Sequence, residues 1–182
     1  LSARYQKQAK ELNELKQDVK KTKKKIDIIE WLNKTYSAPD FHCFVESISI
    51  SDVHLETIFE NNLIDGFISV IQEMIGACPD MPLRCFDCNP GCFFVHISAS
   101  WIMLAAIEFE KMVATVHSKI LLAFRAWQKK NMDKIIQDKF KDNFYHHCVL
   151  KIMGGRLSKQ DLQLRIKNKL FRYYKSDLKS VT

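Results

Sequence analysis

Glycine and proline are scarce in this chain of 182 residues, which contains five glycines and four prolines. The last proline is Pro90, so the second half of the chain is free to form long helices. The few glycines form no glycine-rich phosphate loop, and the sequence contains neither a G-x-S-x-G nor an H-E-x-x-H motif. We therefore predict an all-α protein that is not an enzyme.

Long hydrophobic runs are also missing. The longest uncharged stretch, residues 88–107, is interrupted by Asn89, Pro90 and His96, and its apolar part is shorter than the ~20 residues that a membrane-spanning helix needs. The sequence therefore predicts no membrane span. The cysteines are few and unevenly placed, with four of the six inside residues 78–92, which is more typical of a reduced protein than of a secreted disulfide framework. We expect an intracellular protein, cytoplasmic or nuclear.

The first 36 residues lack glycine and proline altogether and carry a heptad pattern. Apolar residues recur at the a and d positions, where polar residues such as Gln8, Thr22 and Asn33 also occur. Five such heptads predict a coiled coil. The residues that we expect to form its seam are Leu12, Leu15, Val19, Ile26 and Ile29. A single amphipathic helix packed on its own domain is the alternative.

The charges beside this seam favour a parallel pair of helices. In a parallel pair, each g residue faces the e residue five positions later in the partner, and here all three charged pairs are attractive. They are Glu11 with Lys16, Asp18 with Lys23, and Lys25 with Glu30. We therefore predict a homodimer through residues 1–36, with a heterodimer as the alternative.

Residues 41–182 predict a multi-helix domain. Residues 41–50 fit either a helix or a strand, and we favour a helix, which Asp40 can cap. Ser51 and Asp52 can begin a helix that ends near Gly76 and that Asn61 and Asn62 can interrupt. The apolar segment after Cys92 predicts a central core helix over residues 92–130. A further helix over 132–153 should stop at the Gly154-Gly155 pair, and a last helix should open at Ser158.

The stretch CFDCNPGC, residues 85–92, is the most chemically suggestive part of the chain. A C-x2-C spacing supplies half of a tetrahedral zinc site, but no second C-x2-C pair completes it. Zinc could be held by Cys78, Cys85, Cys88 and Cys92, with His96 as another candidate ligand. The other interpretation is a proline-containing loop with partly buried thiols and no cofactor, and we favour it.

The net charge of +7 is unevenly distributed. An acidic middle, residues 37–127, lies between two basic ends, which can dock on this middle or bind an external polyanion. Two clusters are candidate sites for an anion or a partner. They are Lys20, Lys21, Lys23, Lys24 and Lys25 in the first helix, and Arg165, Lys169 and Arg172 in the last, whose apolar line we assign to Leu162, Ile166, Leu170 and Tyr173.

These patterns lead to one functional hypothesis and two alternatives. The first is a non-enzymatic intracellular dimeric scaffold or adaptor, which binds itself through its coiled coil and binds other proteins of a larger assembly. The second is a dimer that binds nucleic acid or another polyanion through its basic helices. The third is a small interaction module that contains zinc.

Overall fold

The computed structural model describes residues 27–137 and 143–177 of the chain. The chain divides into two units, residues 1–35 and residues 36–182. The first unit contributes one described helix, α1, Ile28–Thr35. Asp27 is not helical, and its carboxylate accepts hydrogen bonds from the backbone N–H groups of Ile29 and Glu30, which makes it the N-terminal cap of α1.

The predicted coiled coil over residues 1–36 lies mostly outside the described residues and stays a prediction. Its described part is Asp27, which is not helical, and the helix α1 that follows it. Of the predicted seam only Ile29 is described, in the first turn of α1. The other seam residues and the first lysine cluster lie outside the described residues; they are Leu12, Leu15, Val19, Ile26, Lys20, Lys21, Lys23, Lys24 and Lys25.

The second unit opens with three helices, α2 (Phe41–Ser47), α3 (Asp52–Glu60) and α4 (Leu63–Ala77). Asp40 caps α2, as its position in the sequence suggested, and the ambiguous segment 41–50 is helical up to Ser47. The predicted interruption at Asn61 and Asn62 is confirmed, because α3 ends before it and the Asn62 side chain caps α4. Helices α3 and α4 therefore lie against each other as a helical hairpin.

A small antiparallel sheet follows, with the strand order β1 (Leu83–Arg84), β2 (Phe94–Ile97), β3 (Ser100–Met103). Val95 in the central strand pairs with Leu83 on one side and with Ile102 on the other. Ser98 and Ala99 connect β2 to β3, both with positive φ angles, of 49° and 63°. Positive φ at both central residues is the geometry of a type I′ hairpin turn.

The rest of the chain is helical: α5 (Ala106–Lys130), α6 (Met132–Ile136), α7 (Phe144–Ile152) and α8 (Lys159–Tyr174). Gly154 and Gly155 have positive φ angles, and the Gly155 N–H donates to the Leu150 carbonyl at 2.8 Å, so they end α7 as predicted. Side chains of α2 to α5, α7, α8 and the sheet form the core. Val70, Val116, Ile120 and Leu170 are completely buried in it.

The predicted fold class therefore needs one correction. The chain is mostly helical, but residues 92–130 are not one helix: they contain strands β2 and β3 before α5 begins at Ala106. The predicted helix 132–153 is likewise replaced by α6 and α7, with residues 138–142 outside the described part of the chain.

Candidate anion-binding groove

The last helix, α8, is built to present a basic face beside α4. The Ser158 hydroxyl accepts a hydrogen bond from the backbone N–H of Asp161 at 3.0 Å, so the predicted cap of this helix is confirmed. Leu162, Ile166 and Leu170 recur every four residues and are buried, which orients the rest of the helix. The polar residues next to this apolar line then face a groove at the surface.

This groove, called the basic groove below, is a cavity of about 540 Å³ between the start of α4 and the outer side of α8. Its lining residues are Asn62, Ile64, Arg165, Asn168, Lys169, Arg172 and Tyr173. Arg165 and Arg172 lie seven residues apart on one helix, which places their backbones about 10 Å apart along the axis. The structure thus brings together the three predicted basic residues of α8 in one concavity.

The charge of the groove comes from its two arginines. The Lys169 ammonium contacts Asp65 of α4, and this carboxylate also accepts from the Asn62 amide at 2.6 Å. Lys169 is therefore neutralised within the molecule. Arg165 and Arg172 form no ion pair with any carboxylate in the described part of the chain, so the groove retains two uncompensated positive charges.

Some lysines of the basic C-terminal segment form ion pairs with carboxylates elsewhere in the chain. Lys130 contacts Asp52 at 3.2 Å and Lys175 contacts Asp87 at 2.8 Å, in addition to the pair between Lys169 and Asp65. Each of these pairs joins the basic end to the acidic middle of the sequence. Ion pairs with the acidic segment, residues 37–127, therefore neutralise three lysines of the basic C-terminal segment. They do not neutralise the two arginines of the groove.

Sequence reasoning missed several lining residues and misplaced one. Tyr173 was assigned to the apolar line of α8, but it is 59% exposed and lines the groove, whereas the next residue, Tyr174, is the half-buried one. A four-residue step from Leu170 leads to Tyr174, so the spacing itself contained this signal. Asn62 lies about 100 positions from α8 in the sequence, and only the fold brings it there.

A second cavity, of about 390 Å³, adjoins the groove, and Tyr173 lines both. Two polar atoms at this cavity, the Tyr174 hydroxyl and Arg84 Nε, are buried without a hydrogen-bond partner among the described residues. Burial, assisted by the neighbouring Cys85, raises the pKa of Tyr174 well above its usual range. The Arg84 guanidinium lies 4.0 Å above the Tyr36 ring as a cation–π pair, which partly replaces the missing hydrogen bond.

The cysteine-rich segment forms backbone hydrogen bonds with the residues that follow α8. The Ser176 N–H donates to the Cys85 carbonyl at 3.0 Å, and the Asp87 N–H donates to the Ser176 carbonyl at 3.1 Å. Burial, followed by repulsion from Asp87, raises the pKa of the Cys85 thiol to about 12. Cys85 is therefore a neutral, buried thiol at neutral pH.

The four candidate zinc ligands have different environments. Cys85 is buried, Cys88 is exposed, and Cys78 and Cys92 are half-buried. Within residues 27–137 and 143–177, no three His, Cys, Asp or Glu side chains are grouped so that they could hold one metal ion. A loop without a cofactor stays the prediction and a zinc site at Cys78, Cys85, Cys88 and Cys92 stays the alternative, and metal analysis of the purified protein would decide between them.

One cluster, formed at the start of α3 together with Glu73 of α4, has the residue types of a hydrolytic triad. His54 Nε2 lies 2.8 Å from Glu73 Oε2, and His54 Nδ1 lies 3.1 Å from the Ser51 hydroxyl. However, the backbone N–H of Ser51 also donates to Nδ1, at 3.0 Å, and therefore occupies the lone pair that would have to accept a proton from the hydroxyl. Ser51 and His54 instead form a capping box at the start of α3, with histidine in the position usually held by glutamate.

Among the helices of the described residues, none combines the length with the apolar character that crossing a bilayer requires. No family model, curated protein or solved structure matches this chain.

Proposed function

We propose that this chain is a non-enzymatic polyanion-binding subunit of a larger intracellular assembly, and that its basic groove is the binding site. The observation that carries the proposal is the convergence of Arg165 and Arg172 on one concavity without carboxylate partners among the described residues. Polyanion binding is driven largely by the release of counterions, so positive charges that no neighbouring carboxylate neutralises contribute most to it.

The proposal is tested by the salt dependence of binding. Fluorescence anisotropy with labelled heparin between about 50 and 200 mM salt should give a steep linear slope of log K against log salt. In the variant with Arg165→Ala and Arg172→Ala, the magnitude of this slope should decrease by about two, which is about one for each positive charge removed. Lys159→Ala removes a charge from the same helix outside the groove and should have a smaller effect. If wild-type protein does not bind heparin at low salt, the proposal is wrong.

A second function, the dimeric scaffold that binds other proteins, is supported by the heptads of residues 1–36 and their three attractive g–e pairs. A parallel dimer would hold two copies of the helical domain, residues 41–182, side by side. Light scattering at tens of micromolar should report a dimer for the wild type and a monomer for Leu15→Asp. Gln17→Asp changes an outward position of the same heptad and should remain dimeric; a monomeric wild type would contradict the scaffold.

A further inference from the structure

We propose that the ligand of the basic groove is single-stranded nucleic acid, with Tyr173 as the platform on which a base stacks. This inference rests on the proposed polyanion-binding function and names its ligand class. Three properties of the groove carry it: the linear spacing of its charges, an exposed aromatic ring beside them, and the concave shape of the site.

The charges lie in one line along α8. The rise of about 1.5 Å per residue separates Arg165 from Arg172 by about 10 Å. Two arginines on one line of the helix can therefore contact phosphates of the same strand, whereas a duplex presents phosphates on both sides of a groove.

An aromatic ring stands next to the second arginine. Tyr173 is 59% exposed although it lies on a helix whose neighbouring residues Leu170 and Tyr174 pack inward. It lines the same cavity as the arginines. Every nucleobase has a flat face, so an exposed ring beside a phosphate-binding arginine stacks on bases with little sequence preference.

The remaining lining residues add polar contacts. Asn168 lies between the arginines in the sequence of α8, is exposed and lines the groove, and its amide offers both a donor and an acceptor to base edges. Lys169 stays paired with Asp65 and fixes α8 against α4. A single strand has unpaired bases that are free to stack on Tyr173, whereas the bases of a duplex are already paired and stacked on each other.

The test compares ligands that share negative charge but differ in bases. Fluorescein-labelled single-stranded DNA and RNA 12-mers of mixed sequence, a duplex, heparin and poly-glutamate are titrated with the full chain at fixed salt. The single strands should bind at least about 10-fold more tightly than the duplex. Tyr173→Ala should weaken single-strand binding about 10-fold, because one stacked base contributes about 10-fold or more to the affinity. Tyr173→Phe keeps an aromatic ring and should bind within about 2-fold of the wild type.

The controls separate this inference from the proposal on which it rests. Tyr173→Ala should weaken single-strand binding at least about 5-fold more than heparin binding, because heparin has no bases to stack on the ring. A circular-dichroism melt should show that each variant is folded. Equal weakening of heparin and single strands by Tyr173→Ala, or no preference over duplex or poly-glutamate, would overturn the inference and leave polyanion binding intact. If no polyanion binds, both the inference and the proposed function are wrong.

Discussion

Ala99 has a backbone conformation that its side chain disfavours. With φ of 63° it occupies the left-handed region, which costs a residue with a Cβ about 1–2 kcal/mol and costs glycine little. Its neighbour Ser98 shares this region, with φ of 49°. Type I′ turns strongly prefer Asn-Gly, Asp-Gly or Gly-Gly, so this hairpin forms without the usual turn residues.

We expect Ala99→Gly to raise the free energy of unfolding by about 0.5–1 kcal/mol, because the relief of backbone strain exceeds the entropy that glycine loses on folding. Urea denaturation measures the change. Ala114→Gly is the matched control: Ala114 lies at an exposed position of helix α5, where the same substitution should destabilise by about 0.5–1 kcal/mol. Destabilisation by both substitutions to a similar extent would contradict a strained turn.

Asp40 joins two parts of the second unit through one carboxylate. Its Oδ1 accepts from the N–H of His42 at 2.9 Å at the start of α2, and its Oδ2 accepts from the Ser98 N–H at 3.1 Å in the hairpin turn. These backbone hydrogen bonds, the one from Ser98 first, hold the pKa of Asp40 below its usual value, and the nearby His42 ring acts in the same direction.

A carboxyl with a lowered folded-state pKa stabilises the fold above its unfolded pKa of about 3.9, and this contribution is lost as the pH falls through the folded value. We therefore expect Asp40→Asn to lower the urea midpoint at pH 7 and to lower it much less at about pH 2.5. Asp80→Asn, in the exposed loop between α4 and β1, is the matched control. An equal loss at both pH values for Asp40→Asn would show that its charge is not responsible.

Helix ends were the features of this chain that the sequence predicted best. Asp40, Ser51 and Ser158 were each expected to cap a helix, and each stands at the N-terminus of one. A cap depends on residues within one turn, so a local pattern contains it. The type of the segment after Cys92 depends on distant contacts: Phe94, Val95 and His96 are all buried, so β2 shows no alternation of polar and apolar residues.

The pair of helices α3 and α4 depends on a glycine at their contact. A Cβ on Gly66 would overlap Cγ1 of Ile58 and would lie 2.8 Å from its Cδ1, and Ile58 is completely buried. Gly76, in the last turn of the same helix, would place a Cβ in open space. Substitution of Gly66 by alanine therefore tests the packing between the two helices, whereas substitution of Gly76 in the same helix tests only helix propensity.

We expect Gly66→Ala to destabilise the protein by about 1–3 kcal/mol, because Ile58 must move within a packed core. Gly76→Ala should be neutral or stabilising by up to about 1 kcal/mol, because alanine favours the helix. Thermal melts of both variants measure the difference. Similar midpoints for the two variants would mean that α3 and α4 can separate at this contact without cost.

At the scale of the whole molecule, the sequence indicates that α8 has a basic face, but it does not indicate which segment forms the opposite wall of the groove. Arg165, Lys169 and Arg172 share one face of α8 through their spacing, and this much was readable. The wall that makes the face concave comes from Asn62 and Ile64 at the start of α4. Such a contact between distant segments follows from packing, which no local pattern encodes.

If residues 1–36 pair two chains, each dimer carries two basic grooves. A long polyanion that reaches both should then bind more tightly than a short one, through effective concentration, by up to about 100-fold. Leu15→Asp should remove this advantage for a labelled 60-mer single strand and leave the affinity for a 12-mer unchanged. Gln17→Asp should change neither. Equal affinities of both lengths for a dimeric wild type would mean that the two grooves cannot be occupied by one strand.

The reactivity of the two buried cysteines can be used to measure local unfolding of the protein. Cys148 lies in α7 against the core, and Cys85 lies beneath the segment that follows α8. Burial raises the pKa of Cys148 to about 11 and that of Cys85 to about 12, so neither thiol reacts until its surroundings open. The rates at which a thiol reagent modifies them, compared with exposed Cys43 and Cys88, would therefore separate the release of α7 from the release of the chain end.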